Sequence, residues 1–220
     1  MNVDVKIASK ATARRLEKIL PELVHHNQNG FVQGRSVFDA VRTIDDLLEL
    51  AQITNKSGIL EAIDFEKAFD SLDHTYLLKV LEKLNFGTYF LQWIKTFHTN
   101  ILSCILNNGF TTDLFQVWRG VRQGDPLSPL LFILAIEILA TQIRQDDNNH
   151  GVMVKNKEIK LTLFADDMTC FLKDMNWYLH LCGLLEDFYK YSGLWINNDK
   201  TEIFTIGSFK LAQQDFIHNV

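Results

Sequence analysis

Three aspartates stand where predicted strands end. Asp64 follows the apolar run 58–63, and Asp166 and Asp167 form the turn between two further apolar runs. If these strands are neighbours, the carboxylates converge, and clustered carboxylates repel one another unless a divalent cation lies among them. Oxygen ligands of this kind suit Mg²⁺ or Mn²⁺, and two such ions can bind the attacking 3′-hydroxyl and the leaving pyrophosphate of nucleotidyl transfer. The alternative is an ordinary hairpin turn beside an unrelated strand-end acid, because this short pattern also occurs by chance.

A glycine-rich segment, 119–130, leads into a predicted helix. Its glycines, Gly120 and Gly124, allow a ligand to approach the backbone closely, and the helix start that follows favours a bound anion. The neighbouring side chains that can bond phosphate or the edge of a nucleotide are Arg119, Arg122 and Gln123. The segment therefore predicts a nucleotide shelf, although a tight turn into a buried helix explains the glycines equally well.

Hydrophobic periodicity predicts the elements that must position these residues. The predicted helices are about 6–20, 37–53, 74–84, 89–97, 126–144 and 175–191; the predicted strands are 58–65, 101–106, 114–118, 158–164, 168–172 and 201–206. Without the hairpin at 101–118, the order is β-α-β-β-α-β, which is typical of the split βαβ (ferredoxin-like) antiparallel sheet with helices on one face. Its first and third strands lie side by side in the centre, so Asp64 should lie near Asp166 and Asp167.

Composition indicates an ordinary globular α+β protein. The chain has 220 residues, of which 47% are apolar and 22% charged. The cysteines, which include no CxxC pair and so favour neither a zinc knuckle nor a disulfide framework, are Cys104, Cys170 and Cys182. The longest apolar stretch, 130–140, is interrupted by Glu137 and is shorter than the ~20 residues of a bilayer span, so we expect a buried helix and no membrane partner. Without a visible leader, we expect an intracellular protein of the cytoplasm or nucleus.

Five segments occur in the order and spacing of a known enzyme family. Residues 62–72 (AIDFEKAFDSL), 119–132 and 163–167 (LFADD) resemble the palm motifs of reverse transcriptases, and specifically those of non-LTR (LINE-type) retrotransposons. Residues 2–36 are similar to the stretch between fingers and palm, and 191–204 to a later palm motif. The resemblance implies an α+β polymerase palm with an N-terminal remnant of helical fingers.

The resemblance implies roles for individual residues. It makes Asp64, Asp166 and Asp167 the ligands of two Mg²⁺ or Mn²⁺ ions, and the Phe65 carbonyl could supply a further ligand. Lys200 matches a lysine that protonates the pyrophosphate leaving group, although a solvated lysine at a strand end is nearly as common. The implied substrates are dNTPs, and the implied partners are an RNA template and a DNA primer.

Three further positions match the family's nucleotide site. Phe69 falls at the steric gate, where a side chain beneath the incoming sugar collides with a 2′-hydroxyl and so favours deoxynucleotides. An ordinary core phenylalanine is the competing interpretation. Gln123 and Gly124 match the motif that flanks the incoming nucleotide. Phe69 also argues against an RNA-dependent RNA polymerase with a related palm.

Charge gives a mixed indication about nucleic acid. The net charge is −5, yet residues 1–42 hold seven basic side chains against four acidic ones. The residues that the resemblance places towards nucleic acid are Lys10, Arg14, Arg15, Arg35, Arg119 and Arg122. A charged helical face usually means only solvent, and Arg119 and Arg122 could instead pair with local acids such as Asp125.

The resemblance also divides the chain. Residues 1–57 would be partial fingers and palm-entry helices, 58–206 the palm, and 207–220 the truncated start of a connection to a thumb. Family members carry an arginine-bearing strand before this region and continue into a thumb after it, and we expect these parts and an endonuclease domain to be missing from this chain. We therefore expect a fragment of a longer polyprotein. Two interpretations follow: an RNA-directed DNA polymerase that is weak on its own, and a non-catalytic remnant that at most binds nucleic acid or a partner.

Overall fold

The computed structural model describes residues 3–148, 150–154 and 157–207 of the chain. Its helices are α1 (Val3–Leu23), α2 (Val37–Ile53), α3 (Ala68–Ser71), α4 (His74–Lys83), α5 (Thr88–His98), α6 (Ser128–Gln145) and α7 (Met175–Ser192). Its strands are β1 (Gly58–Ile63), β2 (Ile101–Ser103), β3 (Leu106–Asn107), β4 (Phe110–Thr111), β5 (Phe115–Val117), β6 (Val152–Val154), β7 (Lys157–Ile159), β8 (Leu161–Phe164), β9 (Asp167–Leu172) and β10 (Glu202–Ile206). Within the described residues, no helix is both long enough and apolar enough to span a bilayer.

The central sheet has the strand order β10-β1-β9-β8, and every pairing in it is antiparallel. This is the order of a split βαβ fold, with β1 and β9 side by side in the middle. The register pairs Ile63 of β1 with Met168 of β9. The predicted fold class and the predicted neighbours of β1 are therefore confirmed.

Alternate residues of the central strands serve two hydrophobic cores. Ile59 and Ile63 of β1 belong to the larger core, which α1, α4, α6 and α7 complete. Leu60, which points to the other face, packs instead with Leu47 and Ala51 of α2. The prediction of helices on one face thus describes the larger core, while α2 covers part of the opposite face.

Helix α6 is the centre of the larger core. Residues 130–140 are buried except for the half-buried Ile138, as the apolar run predicts. The acid in this run, Glu137, is also buried; its carboxylate accepts hydrogen bonds from the Arg144 guanidinium and from the backbone N–H of His25. Because a buried charge needs a partner, this ion pair allows the acid to remain inside the helix packing.

The first helix is longer than predicted. It begins at Val3 and continues through Pro21 to Leu23, whereas the sequence predicts an end near Pro21. The proline removes one backbone hydrogen bond and crowds the carbonyl of Glu17, but the helix continues for only two residues beyond it. In addition, the Arg35 guanidinium donates to the carbonyls of Pro21 and Val24, which stabilises the end of the helix.

The predicted strand over 158–164 is divided into β7 and β8. The division falls at Lys160, which is buried and donates from its ammonium group to the carbonyls of Arg144 and Asp146. These contacts tie the residue to the end of α6. The upstream half pairs with β6 in a separate hairpin, and the sequence analysis missed that hairpin because its strands are very short.

A carboxylic acid lies in the middle of the sheet without a hydrogen-bond partner. Glu61 of β1 is 0% exposed, and both of its carboxyl oxygens lack a partner. In the register it stands opposite Cys170 of β9 and Ile203 of β10. Burial raises the pKa of this carboxyl to about 7, so the folded protein holds it as the neutral acid over most of the mildly acidic range.

We expect Glu61 to make the fold less stable as the pH rises. The unfolded chain releases the Glu61 proton near pH 4.5 and the folded chain near pH 7, so the folded state binds more protons between these values. The free energy of unfolding should therefore fall by about 3 kcal/mol over this window and level off above it. Urea unfolding at a series of pH values should show that Glu61→Gln removes the decline. Glu202→Gln, at an exposed acid of β10, should not, and an unchanged decline in the Glu61 variant would contradict the assignment.

Candidate active site

The three aspartates lie at one end of the two central strands. Asp64 directly follows β1, and Asp167 is the first residue of the adjacent β9. Because Ile63 pairs with Met168, the next residue along β1 stands beside the first residue of β9. Asp166 precedes it in the turn between β8 and β9. The strands thus bring together acids that are remote in sequence, as the strand order predicts.

The carboxylates interact electrostatically. Burial first, and then the charge of Asp64, raise the pKa of Asp166 above its usual range. Burial, followed by the charges of Asp166 and Asp64, raises the pKa of Asp167. A nearby cation is the Lys200 ammonium, 3.9 Å from a carboxylate oxygen of Asp64 but 69% exposed. Like charges in a partly buried site favour a cation among them.

The donor set has the chemistry of a hard-cation site. Three clustered carboxylates, of which Asp166 and Asp167 have a pKa raised by burial and by neighbouring negative charge, suit Mg²⁺ or Mn²⁺, which prefer oxygen ligands. Within the described residues, no three acidic, thiol or imidazole side chains already surround a common ion position. Binding an ion would therefore require the aspartate side chains to turn towards it, which is possible because Asp167 is exposed and Asp64 and Asp166 are only half-buried.

The backbone around Asp64 is fixed by the segment before β10. The amide of Asp64 donates to the Thr201 hydroxyl at 3.3 Å, and its carbonyl accepts from the Asn197 amide at 2.8 Å. The Glu66 amide donates to the carbonyl of Trp195 at 2.8 Å. The Phe65 carbonyl lies between these groups and takes no part in these three hydrogen bonds, so it remains a candidate metal ligand.

The glycine-rich loop is joined to the residues around α3. The Gly120 amide donates to the carbonyl of Leu72 at 2.7 Å, and the Val121 amide to the carbonyl of Phe69 at 2.6 Å. Gly120 has φ +88°, and a Cβ there would lie 2.7 Å from the carbonyl oxygen of Asp70. Only glycine permits this approach without displacing the backbone. The loop and the segment after β1 therefore form one unit.

The predicted nucleotide-site residues come together in this unit. Phe69 is half-buried and stacks on Phe132 of α6, with ring centroids 4.8 Å apart. Gln123 is exposed and donates from its amide to the Asp70 carboxylate at 3.4 Å. Gly124 is exposed, with φ +78°. Packing on one face of Phe69 and partial exposure leave both interpretations of that residue open to experiment.

The predicted nucleic-acid-binding residues occupy different environments. Lys10, Arg14 and Arg15 are exposed on α1. Arg119 is exposed and lies 4.0 Å from the carboxylate of Asp73, at the long limit of an ion pair. This pairing partner differs from Asp125, the acid suggested by the sequence. Asp125 is buried, and its carboxylate accepts from the Ser9 hydroxyl and from the Leu127 amide at 3.1 Å. Arg122, in the glycine-rich loop, is half-buried.

The half-buried Arg35 side chain bonds backbone carbonyls of its own chain. Its guanidinium donates to the carbonyls of His25 at 2.6 Å and Gln28 at 2.7 Å, in addition to the two carbonyls at the end of α1. A guanidinium with four backbone acceptors is engaged in holding the loop after α1. These bonds give Arg35 a structural role, and its place towards the template stays a prediction.

Sequence reasoning missed the residues that fix the backbone of the candidate site. Asn197 and Thr201 fix the Asp64 backbone, and Gln28 and Gly30 contact the turn that carries the other two acids. The segment around Gln28 has the polar, glycine-containing composition of any surface loop. No local periodicity distinguishes a loop that packs on a distant turn, so only the motif resemblance drew attention to this stretch.

Comparison with known proteins agrees with this geometry. The family model of reverse transcriptase (RNA-dependent DNA polymerase) matches residues 1–218. An uncharacterized 149 kDa protein of transposon TX1 from Xenopus laevis is 36% identical over 177 residues, which are 80% of this chain and 13% of that protein. The Pol polyprotein from the retrotransposable element R2DM of Drosophila melanogaster is 29% identical over 180 residues, 82% of this chain and 17% of the polyprotein.

Solved structures share the fold. Telomerase from Candida albicans, in complex with a fragment of telomeric RNA, superposes with a TM-score of 0.64 at 16% identity, covering 89% of this chain and 34% of the telomerase chain. Apo telomerase from Candida tropicalis also gives 0.64, at 14% identity, covering 93% and 42%. The chain thus spans less than half of each of these proteins. The family model and the retrotransposon relatives together show that the chain belongs to the reverse transcriptase (RNA-dependent DNA polymerase) family, in its non-LTR retrotransposon group.

Proposed function

We propose that this chain is the catalytic palm of an RNA-directed DNA polymerase, which adds deoxynucleotides to a primer 3′-hydroxyl on an RNA template. The observation that carries the proposal is the placement of three acids at one end of neighbouring central strands. Asp64 directly follows β1, and Asp166 and Asp167 lie where β9 begins. Membership of the reverse transcriptase family supports the reaction class.

Asp64, Asp166 and Asp167 would hold two Mg²⁺ or Mn²⁺ ions, and the Phe65 carbonyl would add a ligand. The raised pKa values of Asp166 and Asp167 support this set, because a cation relieves the repulsion between their carboxylates. When bound, the ions supply the Lewis-acid chemistry that activates a hydroxyl and stabilises a leaving pyrophosphate. The protein's own contribution is to hold three carboxylates on rigid strand ends.

Other side chains would orient the nucleotide and move a proton. The Lys200 ammonium, close to Asp64, would donate a proton to the departing pyrophosphate. Phe69 would lie beneath the incoming sugar and exclude a 2′-hydroxyl. Gln123 and Gly124 would flank the nucleotide, and the backbone hydrogen bonds that join their loop to Phe69 would keep the parts in one arrangement.

Basic residues would bind the template and primer phosphates. Lys10, Arg14 and Arg15 are exposed basic residues on α1, and Arg119 and Arg122 lie in the glycine-rich loop. Phosphate contacts of this kind position a duplex without reading its sequence. With a net charge of −5, these few side chains would bind nucleic acid weakly on their own.

We also propose that the chain works as part of a longer polymerase. Residues 1–57 would contribute to the fingers and 58–206 would form the palm; of the proposed connection, 207–220, only Gly207 lies among the described residues. The small share of the TX1 and R2DM proteins that the chain covers, 13% and 17%, supports this proposal. Productive geometry requires the primer end and the α-phosphate to be held closely, and a misplacement of about 1 Å can cost on the order of 100-fold in rate.

Primer extension tests the proposal. With the chain in excess over poly(rA)/oligo(dT), Mg²⁺ and dTTP, we expect slow addition of one or a few nucleotides and little processive synthesis. Linking residues 2–206 to the fingers strand and thumb of a non-LTR polymerase should raise the rate, because the duplex is then clamped. A poly(dA) template and a reaction with EDTA are the controls. Absence of addition by both proteins would leave the chain a non-catalytic remnant and contradict the proposal.

A further inference from the structure

The turn that carries Asp166 and Asp167 has an unusual backbone. Ala165, immediately before the two acids, has φ +58°. A residue with a Cβ rarely adopts this left-handed conformation, and it persists only where the surroundings impose it. The direction in which the chain leaves Ala165 sets the positions of the two acids that follow. Whatever holds Ala165 therefore also positions the proposed metal ligands.

A buried glutamine holds Ala165. The side chain of Gln28 is 0% exposed, and its carbonyl oxygen accepts from the Ala165 amide at 2.9 Å and from the Gly30 amide at 2.8 Å. Its side-chain N–H donates to the carbonyl of Ala165 at 3.4 Å. The glutamine amide thus bonds both polar backbone groups of the left-handed residue. Few other side chains carry a donor and an acceptor at the reach needed for both.

Neighbouring backbone fixes the glutamine in place. The Asn29 amide donates to the carbonyl of Leu163 at 2.8 Å, and the Leu163 amide donates to the carbonyl of Asn27 at 2.9 Å. The loop thereby runs as a short parallel bridge along β8. The Arg35 guanidinium donates to the Gln28 carbonyl at 2.7 Å and ties the same loop to the end of α1.

The contact with the turn is too close for any residue except glycine at position 30. A Cβ on Gly30 would lie 2.3 Å from the amide nitrogen of Ala165 and 2.9 Å from its Cα. Both of these are backbone atoms, so the turn itself would have to move. Gly30 and Gln28 therefore touch the same residue, one through close packing and the other through hydrogen bonds.

We infer that Gln28 is a positioning residue for the metal-binding turn: its side-chain amide, with Gly30 packed beside it, holds Ala165 in the left-handed conformation that places Asp166 and Asp167. The inference rests on the proposed function, since it assigns these acids to the metal site. Gln28 itself touches neither metal nor substrate. It acts through the backbone of the turn, in the manner of the supporting residues whose loss weakens metal binding by about 10- to 100-fold.

The test uses the full 220-residue chain and two measurements, neither of which requires polymerase activity. Hydrogen exchange at the Ala165 amide reports whether Gln28 holds that residue. Titration with Mn²⁺, followed by the electron paramagnetic resonance signal of the ion, reports the metal site. Gln28→Met keeps the side-chain length but removes the hydrogen bonds. We expect faster exchange at Ala165 and an increase of about 10-fold or more in the Mn²⁺ dissociation constant.

Two further variants separate positioning from general stability. Asn29→Ala removes a buried side-chain amide from the same loop. This amide donates to the Asn27 carbonyl and to the Thr162 hydroxyl, but it does not bond the turn. It should leave Mn²⁺ affinity within about threefold of wild type, because the Asn29 side chain supports neither the metal ligands nor the turn that carries them. Adding Ala165→Gly to Gln28→Met should restore part of the affinity, because glycine adopts the left-handed conformation without help.

The outcomes are distinguishable. Wild-type affinity and exchange in Gln28→Met would overturn the inference, and so would an equal loss in Asn29→Ala. If Gln28→Met does not fold, Gln28→Asn, which keeps an amide but withdraws its oxygen by one methylene, should show the same loss of affinity. If the wild-type chain itself binds no Mn²⁺, the proposed function fails. Hydrogen exchange at the Ala165 amide then still decides whether Gln28 holds the turn.

Discussion

Replacing Asp64 or Asp166 by asparagine is expected to abolish both primer extension and Mn²⁺ binding while leaving the fold intact. Each change removes one of the two negative charges that, after burial, raise the pKa of Asp167. Metal ions contribute several kcal/mol of transition-state stabilisation, and each 1.4 kcal/mol is a factor of about ten, so the rate should fall by about 10³-fold or more. The measurements are single-nucleotide addition and Mn²⁺ titration.

A matched control separates this effect from a general loss of charge. Asp113→Asn removes an exposed aspartate in the hairpin between β2 and β5, which is not part of the site at the ends of β1 and β9. It should bind Mn²⁺ and extend primers as the wild type does. The melting temperature of Asp166→Asn without metal should equal or exceed that of the wild type, because charge repulsion is reduced. Unfolding of the Asp64 or Asp166 variants would instead indicate a structural role and contradict the metal-site assignment.

Replacing Phe69 by valine is expected to increase ribonucleotide incorporation relative to deoxynucleotide incorporation by about 10- to 100-fold. The phenyl ring, which stacks on Phe132, would stand against the sugar of the incoming nucleotide. Steric overlap in a packed site costs about 1–3 kcal/mol, and a smaller side chain would relieve most of it when a 2′-hydroxyl is present. Competition between rUTP and dTTP on poly(rA)/oligo(dT), using the chain linked to fingers and thumb, measures the ratio.

The control for this change is a phenylalanine in a comparable environment but away from the loop. Phe90 of α5 is half-buried and stacks on Phe86, with ring centroids 4.6 Å apart. Phe90→Val should lower stability by a similar amount and leave the nucleotide ratio unchanged. If the Phe69 variant keeps the wild-type ratio in an active protein, Phe69 is a core residue and the steric-gate assignment is wrong.

Local pattern was sufficient for the framework of the fold. The apolar run of β1, the paired runs around Asp166 and Asp167, and the helical periodicity between them predict a split βαβ sheet, and the structure has that strand order. These features are encoded within short windows, since burial of one face repeats with the period of each element. The adjacency of Asp64 to the other two acids follows from strand order alone, so it was predictable as well.

Only the tertiary structure decided which side chains hold this framework in place. Arg35 reads in sequence as a basic surface residue but bonds four backbone carbonyls, and Glu61 reads as a polar position in a strand but is fully buried without a partner. Gln28 reads as a loop residue but bonds a backbone amide 137 positions away. Each of these roles depends on which distant segment folds against the residue, and periodicity within one segment carries no information about that neighbour.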